Sequence, residues 1–273
     1  MTISRRQALG WASAFAATAG TTELSFAGAA ARAAKALGGR NGRSVEPAQL
    51  FQQLLIHRDE AHHTPHVGVI AIASPDAAWY AVDTLDNTQF RMFTSRGKKR
   101  GYRLRRISAF KTHEGVRYAA AWEQLAGPDW HANHNMSRQD FDALNTKRLG
   151  HGFRITHLDA RLQYAGIWET GDGSTQQVFS GLSIDAYQQQ AATLAGQGLR
   201  PTRLSLGVDG STTFVAAIFD KDPGAPWQAN ALMTSAEFHR TNATMKAQGY
   251  RLRDASGHML SRKPMFSGIW DQA

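Results

Sequence analysis

The chain has 273 residues, a formal net charge of +9 at pH 7 and no cysteine. The absence of cysteine excludes disulfide frameworks and every site that depends on a thiolate. The length suffices for one sizeable domain or one repeat array, and beyond the N-terminal segment no apolar run is long enough to span a membrane.

Residues 1–33 are predicted to be an export signal. Residues 4–6 read Ser-Arg-Arg and resemble the start of a twin-arginine motif, although Ala8 and Gly10 replace the residues that are usual there. A mildly apolar segment rich in alanine and glycine follows. We therefore expect export to the periplasm or the medium, and the alternative is an ordinary arginine-containing terminus. Residues 34–45 are predicted to be a linker.

The next predicted element is a helix that begins near Pro47 and runs towards residue 62, followed by a hairpin formed by 67–73 and 78–82. Histidines cluster near the end of this helix, namely His57, His62, His63 and His66. No carboxylate motif accompanies them, and histidine is favoured near a helix C-terminus, so we expect no metal site.

From residue 85 onwards one pattern occurs four times. A helix-capping residue is followed by a glycine and then by an aromatic residue next to an acid. The caps are Asp86, Ser137, Ser183 and Thr234, and the glycines are Gly101, Gly152, Gly198 and Gly249. The closing pairs are Trp122 and Glu123, Trp168 and Glu169, Phe219 and Asp220, and Trp270 and Asp271. Such a period indicates supersecondary units that pack on one another.

Each copy predicts one helix and one β-hairpin. Hydrophobic residues that flank each cap, such as Leu85 and Phe90, form a hydrophobic staple. The glycine suits the left-handed end of a helix, and strand-forming residues divided by a turn follow it. With a degenerate leading copy from residue 46, we predict an α+β fold of five tandem helix–β-hairpin units. These units are expected to form one compact or closed array over residues 46–273.

Two copies carry a distinctive segment before the next cap, with Trp130 in one and Trp227 in the other. Tryptophans on loops between units can stack on sugar rings or hold a peptide. The alternative, that each tryptophan fills the gap between neighbouring units, is favoured by their fixed spacing. The candidate ligand-binding residues are Trp130, His131, His134 and Trp227, and of these His134 has no counterpart in the other copies.

Three stretches resemble the bacterial tandem repeat domain. They are Gly-Tyr-Arg-Leu at 101–104, Tyr-Ala-Ala-Ala-Trp-Glu at 118–123 and Gly-Pro-Asp-Trp at 127–130, the last followed by His134. The resemblance covers about residues 46–273. In that family, similar repeats form the N-terminal part of secreted polyglycine hydrolases, ahead of a β-lactamase-like serine hydrolase domain. The resemblance therefore implies a repeat or recognition part without the catalytic partner.

A basic run between residues 96 and 106 contains no acid and is the second candidate site. We expect such a run to attract the phosphates of lipid headgroups or envelope polymers rather than nucleic acid, and the alternative is a solvated helix face and strand. The candidate anion-binding residues are Lys98, Lys99, Arg100, Arg105 and Arg106. Ser95 and Lys98 also match a Ser-x-x-Lys nucleophile motif, but its companion motif is missing, so we assign no catalytic role.

Charge pairing recurs once per unit. An arginine follows each helix-ending glycine by two residues, giving Arg103, Arg154, Arg200 and Arg251. The acids that close the hairpins are Glu123, Glu169, Asp220 and Asp271. Arginine holds a carboxylate by parallel hydrogen bonds. We predict that these arginines and acids pair, within a unit or across to the next, and hold the hairpins in register.

We expect the protein to act as an exported binding or interaction module for an envelope or extracellular component, such as a polymer, glycan or peptide. The alternative is a hydrolase, peptidase-like or related to serine hydrolases, with its site on the loops around His134. A third interpretation is a purely structural role. The sequence shows no spacing typical of a nucleophile, a base and an orienting group, so no catalytic residue, metal or cofactor is assigned.

Overall fold

The computed structural model describes residues 52–59, 64–71, 79–112, 114–221, 224–260 and 263–272. Within these ranges the chain forms fourteen strands and four helices, so the fold is mostly β. The predicted export signal (1–33) and linker (34–45) lie outside the described residues. An antiparallel hairpin of β1 Gln52–Asp59 and β2 Thr64–Ala71 comes first.

Four modules follow the hairpin, each in the order strand, helix, strand, strand. Module 1 contains β3 Trp79–Leu85, α1 Asn87–Lys99, β4 Tyr102–Thr112 and β5 Gly115–Gln124. Module 2 contains β6 Trp130–Met136, α2 Arg138–Gly150, β7 Phe153–Asp159 and β8 Tyr164–Thr170. Module 3 contains β9 Gln176–Leu182, α3 Ile184–Gly196, β10 Leu199–Asp209 and β11 Thr212–Lys221. Module 4 contains β12 Trp227–Thr234, α4 Ser235–Ala247, β13 Tyr250–Leu260 and β14 Lys263–Gln272.

The last strand of each module lies in the middle of a three-stranded antiparallel sheet. The strand orders are β3-β5-β4, β6-β8-β7, β9-β11-β10 and β12-β14-β13. The helix connects the two edge strands, and it packs against the strands of its own module. We call β4, β7, β10 and β13 the inner strands, because β4 contacts β7, β7 contacts β10 and β10 contacts β13.

The leading hairpin joins the last module to the first. Strand β2 contacts both β13 of module 4 and β4 of module 1. The contacts between neighbouring elements therefore return from the end of the repeats to their beginning. Within the described ranges, no helix is long and apolar enough to cross a membrane.

Local sequence signals account for the four helices, which have thirteen residues each. Asp86, Ser137 and Thr234 form capping boxes, whereas Ser183 caps through its hydroxyl alone. Each helix ends before a glycine with a positive φ, between +76° and +82°, at Gly101, Gly152, Gly198 and Gly249. The cap and glycine positions predicted from the sequence are thus confirmed, since short-range contacts determine both.

The prediction of an α+β fold of five helix–β-hairpin units is wrong, because the described residues are mostly β and form four modules that each begin with a strand. The segment before each helix was expected to be a loop between units. In the structure β6 pairs with β8, and Trp130 lies opposite Glu169 in this ladder. The sequence of β6 lacks β-branched residues, so its conformation depends on a partner strand far along the chain rather than on local preference.

The predicted first helix is also wrong in the part that the structure describes. Residues 52–59 form β1, which pairs with β2, and the predicted hairpin of 67–73 with 78–82 does not form because β3 pairs with β5. In the β1–β2 ladder His57 lies opposite His66. His62 and His63 lie outside the described residues. The apolar pattern of this segment fits a strand as well as a helix, and pairing decides between the two.

Each module has one large aromatic residue at its centre, and it packs on an aromatic residue of the module's own helix. The central residues Trp122, Trp168, Phe219 and Trp270 are all fully buried. Their ring centroids lie 6.0 to 6.3 Å from those of Phe90, Phe141, Tyr187 and Phe238. The residue that completes each hydrophobic staple therefore also closes the module's core.

The inner strands meet through buried polar side chains. An inner strand is an edge of its own sheet, so some of its backbone N–H groups lack a ladder partner. Side chains of the next module bind them: Ala109 N donates to Asp159 at 2.6 Å, and Ala160 N donates to Ser205 at 2.9 Å. His157 Nε2 lies 2.7 Å from the carbonyl oxygen of Ile107. Side chains of one module thus provide hydrogen-bond partners for backbone groups of its neighbour.

Candidate binding groove between the first two modules

A groove of about 400 Å³ lies between α1 of module 1 and β6 of module 2. Helix α1 contributes Phe90, Arg91, Thr94, Ser95 and Lys98, and β6 contributes residues 130–134. The lining therefore includes two cationic side chains and no carboxylate. Three of the candidate ligand-binding residues, Trp130, His131 and His134, come together here.

Trp130 joins the two walls of the groove. Its side chain is buried, and Lys98 Nζ lies 4.9 Å from the centroid of its ring. The same Nζ donates to the carbonyl oxygen of Trp130 at 2.8 Å and lies 3.5 Å from Asp129 Oδ1. The indole face thus packs against Lys98 rather than against an open surface, and about half of the Lys98 side chain (49%) stays exposed.

His134 packs at the base of the groove. Its ring centroid lies 4.4 Å from that of Phe90 and 5.0 Å from that of Tyr118. Burial and the nearby Arg91 lower the pKa of His134 to about 4, so the ring is neutral at pH 7. Nε2 lies 2.5 Å from Asn87 Oδ1, and a neutral ring that carries its proton on Nε2 donates to this oxygen. The geometry therefore gives His134 a packing role between two modules.

His131 forms the rim of the groove on the side of module 2. Its ring centroid lies 5.1 Å from that of Phe153, and its Nε2 lies 3.7 Å from Asp129 Oδ2. Desolvation by burial, followed by the positive charge of Arg148, lowers the pKa of His131. Trp227 does not reach this groove, because it begins β12 of module 4, where it lies opposite Asp271 and is partly exposed.

The structure divides the candidate anion-binding residues into separate environments. Lys98 lies in the groove, and Lys99 and Arg100 are exposed at the end of α1. Arg105 lies 3.1 Å from Glu169 and 3.5 Å from Glu123. Arg106 approaches Asp254 of module 4 at 3.7 Å. A single basic patch is therefore not formed, because the β-bulge after Leu104 changes the register of the strand between these residues.

The arginines that follow the helix-ending glycines contact acids of the next module. Arg103 lies 3.0 Å from Glu169, Arg154 lies 2.7 Å from Asp220 and Arg200 lies 3.4 Å from Asp271. Within its own module, each arginine also lies opposite the closing acid in the backbone ladder. Arg103, for example, lies opposite Glu123. Arg251 is exposed at the start of β13 in the last module. The contribution of these pairs to stability stays a prediction.

Several polar groups of the groove contact other residues of the protein. Ser95 is exposed on α1, and the contacts of Lys98 are those with Trp130 and Asp129. The ring nitrogen of His134 is engaged by Asn87. Among the residues that the structure describes, no group of three or more histidine, aspartate or glutamate side chains is placed to hold a metal ion.

Sequence reasoning singled out Ser95 and Lys98 of α1 but did not connect them with a groove. Residues 87, 91, 94, 95 and 98 lie three or four positions apart and therefore share one face of α1. This face was readable from the helix prediction. The strand that covers it was not predicted, so nothing indicated that the face belongs to a groove. The buried pair of Arg203 and Asp254 was overlooked as well, because its two residues lie in different modules.

The comparisons with known proteins agree with the module boundaries. The family model described as polyglycine hydrolase-like, structural repeat matches residues 76–125, 127–171, 173–222 and 224–273. Each match contains one complete strand–helix–strand–strand module. No curated protein matches the chain. The four consecutive matches cover most of the sequence, and the chain therefore belongs to the polyglycine hydrolase-like structural repeat family.

Proposed function

We propose that this protein is exported and that its repeat domain binds an anionic polymer of the cell envelope or the extracellular medium. The observation that carries this proposal is the charge of the groove between α1 and β6. Arg91 and Lys98 project from one helix face, and no carboxylate is among the lining residues, although the exposed Asp129 lies beside the groove, 3.5 Å from Lys98 Nζ. Long, partly exposed cationic side chains attract a polyanion and still let it slide and exchange.

A second surface depression, on α2 of module 2, has a different character. It is lined by residues of α2 that include both Arg138 and Asp142. These two side chains form an exposed ion pair at 3.9 Å. Helix α1 contains no acidic residue, in contrast to α2, so the excess of positive charge belongs to module 1 rather than to the repeat, which favours a specific role over a general feature of the architecture.

The neutral groups of the groove suit a polar, extended ligand. His131 is partly exposed at the rim, Ser95 and Asn133 are exposed, and each offers a hydrogen bond to a hydroxyl or an amide. Trp130 is buried and supports Lys98 instead of stacking on a sugar ring. In this proposal charge supplies the attraction and the neutral groups supply orientation.

Binding is tested by cosedimentation of the purified protein with insoluble peptidoglycan and by titration with a soluble acidic polysaccharide, with neutral dextran as a comparison. We expect Lys98→Ala and Arg91→Ala each to weaken binding to the acidic polymer by about threefold to tenfold, since each removes one charge contact. Lys147→Ala is the matched control, because Lys147 is exposed in the last turn of α2.

The salt dependence of binding and the release of polymer fragments complete this test. Binding carried by exposed charges weakens as the ionic strength rises from about 0.05 to 0.5 M, because the Debye length shortens. Equal binding of the acidic polymer by wild-type protein, Lys98→Ala and Arg91→Ala would contradict the proposal. Release of soluble fragments from the bound polymer would instead support the hydrolase alternative.

Export is tested separately. The substitutions Arg5→Lys and Arg6→Lys, made together, keep the charge of the N-terminal segment but remove the arginine pair. In a bacterial host with a twin-arginine pathway, we expect the double variant to remain in the cytoplasm and the wild-type protein to leave it. Fractionation followed by immunoblotting measures the difference, and equal distribution of the two proteins would contradict export by this route.

A further inference from the structure

Two guanidinium groups share one buried carboxylate where module 4 approaches module 1. Arg203 hydrogen-bonds to Asp254 and also donates from Nε to the carbonyl oxygen of Leu158 at 3.0 Å. Arg106 reaches the same carboxylate oxygen only at 3.7 Å, and the backbone N–H of Leu204 lies 3.4 Å from the other oxygen. One carboxylate therefore faces two guanidinium groups, and their positive charge is incompletely balanced.

The remaining contacts of Arg106 do not supply an anion. Its Nη1 lies 3.5 Å from the carbonyl oxygen of Arg105, and its Nε is shielded from solvent without a hydrogen-bond partner. Burial is the first cause that lowers the pKa of Arg106 to about 10. Asp254 opposes this shift, and the neighbouring Arg203, Arg105 and Arg253 add to it. A cation still charged at pH 7 is thus held in a desolvated and electropositive environment, which is costly unless an anion compensates it.

The surroundings of Arg106 leave it accessible from one side. About a fifth of its side chain (21%) is exposed. Nearly half of the Arg253 side chain (48%) is exposed, and its Nη1 lies 3.6 Å from Asp271 Oδ2. Arg253 occupies the β-bulge of β13, directly before Asp254, and Arg105 occupies the equivalent bulge of β4. Strand β2 contacts both of these strands, and its sequence contains no acidic residue.

We propose that Arg106 forms, with Arg203 and Arg253 beside it, a binding site for a small oxyanion with the size and charge of phosphate. Such an anion accepts charge-assisted hydrogen bonds from a guanidinium and neutralises the positive charge that Asp254 leaves unbalanced. The site is separate from the groove between α1 and β6 and does not depend on the proposed function of that groove.

Phosphate binding to the full-length protein is measured by isothermal titration calorimetry at pH 7 and by thermal unfolding, with sodium chloride at matched ionic strength as the comparison. We expect phosphate to raise the melting temperature more than chloride does. Arg106→Gln should weaken phosphate binding about tenfold or more, since it removes a charge-assisted contact. The matched control Arg251→Gln changes an exposed arginine on the same strand as Arg253 and should leave the affinity unchanged.

Two further variants keep the inference open to refutation. If Arg106→Gln does not fold, Arg253→Gln at the exposed rim should weaken phosphate binding about threefold, as expected for an exposed charge. Wild-type affinity in Arg253→Gln would then overturn the proposal, and so would a phosphate effect no larger than that of chloride. Loss of phosphate binding in Lys98→Ala, with normal binding in Arg106→Gln, would place the anion in the groove and also overturn it.

A second ligand distinguishes a free ion from a phosphate on a larger molecule. Glycerol phosphate carries the same oxyanion on an organic group. Binding of both ligands with loss in Arg106→Gln supports a site open to phosphate groups of larger molecules. Binding of inorganic phosphate alone, with the same loss, supports a site for the free ion.

Discussion

Trp168 and Trp270 occupy the same place in modules 2 and 4, and each donates its indole N–H to an asparagine on the module's helix. The acceptors are Asn145 and Asn242, both at 3.0 Å. In module 3 the equivalent aromatic residue is Phe219, which has no N–H to satisfy, and the helix carries Ala191 at the asparagine position. Modules 2, 3 and 4 therefore vary the aromatic residue and its hydrogen-bond acceptor together, whereas module 1 combines Trp122 with Thr94 at the asparagine position.

This pairing predicts a specific pattern of stability. Asn145→Ala should lower the free energy of unfolding by about 1–3 kcal/mol, because the buried indole N–H of Trp168 loses its acceptor. Trp168→Phe combined with Asn145→Ala reproduces the chemistry of module 3 and should cost clearly less than the sum of the two single changes. Urea unfolding of the three variants measures this, and strictly additive losses would contradict the interpretation.

At the scale of secondary-structure elements, each helix is defined at both ends by its own residues. The cap at the beginning and the left-handed glycine at the end recur in every module, although the residues between them differ. The hydrophobic staple then fixes the direction in which the chain enters the helix, and the helix packs against the central aromatic residue. The cap and the glycine lie fifteen residues apart in every module, which accounts for the equal length of all four helices.

The end of α2 offers a test with an internal control. Gly152 has φ +78°, and an added Cβ would meet nothing within 4 Å. Gly152→Ala should therefore destabilise the protein by about 1–2 kcal/mol through backbone conformation alone. Gly150 is the last residue of α2, it has equally open space, and it does not adopt a positive φ. Gly150→Ala should be neutral or slightly stabilising in thermal unfolding, and equal losses in the two variants would refute this account.

At the scale of the whole molecule, neighbouring modules depend on each other for buried polar groups. Arginines of one module contact acids of the next, and side chains of one inner strand bind backbone N–H groups of the preceding one. Such contacts are lost together when a module boundary opens. We therefore expect the four modules to unfold cooperatively rather than one by one.

The pair of Arg103 and Glu169 tests this coupling. The two side chains are 8% and 14% exposed, so loss of either partner leaves a largely buried charge. Arg103→Ala and Glu169→Ala should each lower the free energy of unfolding by about 3 kcal/mol, and the double variant should cost less than their sum. Arg105 also contacts Glu169, so Glu169 keeps one cationic partner in Arg103→Ala. A coupling energy of zero in urea unfolding would exclude a stabilising role.

Three histidines predict how stability depends on pH. Burial lowers the pKa of His134 and of His258 to about 4 and that of His157 well below its usual value of 6.5. Near pH 5 the unfolded chain therefore binds more protons than the folded protein. Stability should be constant above about pH 7 as far as these groups are concerned, and it should fall as the pH drops from about 6.5 towards 4.

Urea midpoints at pH 7, 6 and 5 measure this fall. His258→Gln should make the fall smaller, because one of the three groups no longer binds a proton on unfolding. His151→Gln, at the exposed end of α2, is the control and should keep the wild-type slope. A wild-type midpoint that does not change between pH 7 and 5 would contradict the assignment of these rings as neutral and buried.

Residues that lie close together in the sequence are enough to predict several local features of this protein. These are the four caps, the four glycines, the staples and the aromatic residue in each repeat. A capping hydrogen bond spans three residues and a staple spans five, so the residues that decide them are visible together in the sequence. The family resemblance rests on the same short stretches, and the matching family model confirms it.

Contacts between distant parts of the chain decide where each module begins and which residues meet at its boundaries. Strand β6 exists because β8 supplies its ladder, and residues 52–59 form a strand because β2 pairs with them. The partners of Arg103, Lys98 and Arg106 likewise lie in other modules. The short segment that contains an edge strand or a buried charge does not contain the partner that the strand or the charge needs. Its conformation therefore follows from pairing across the fold, and the candidate groove and the proposed anion site arise from that pairing.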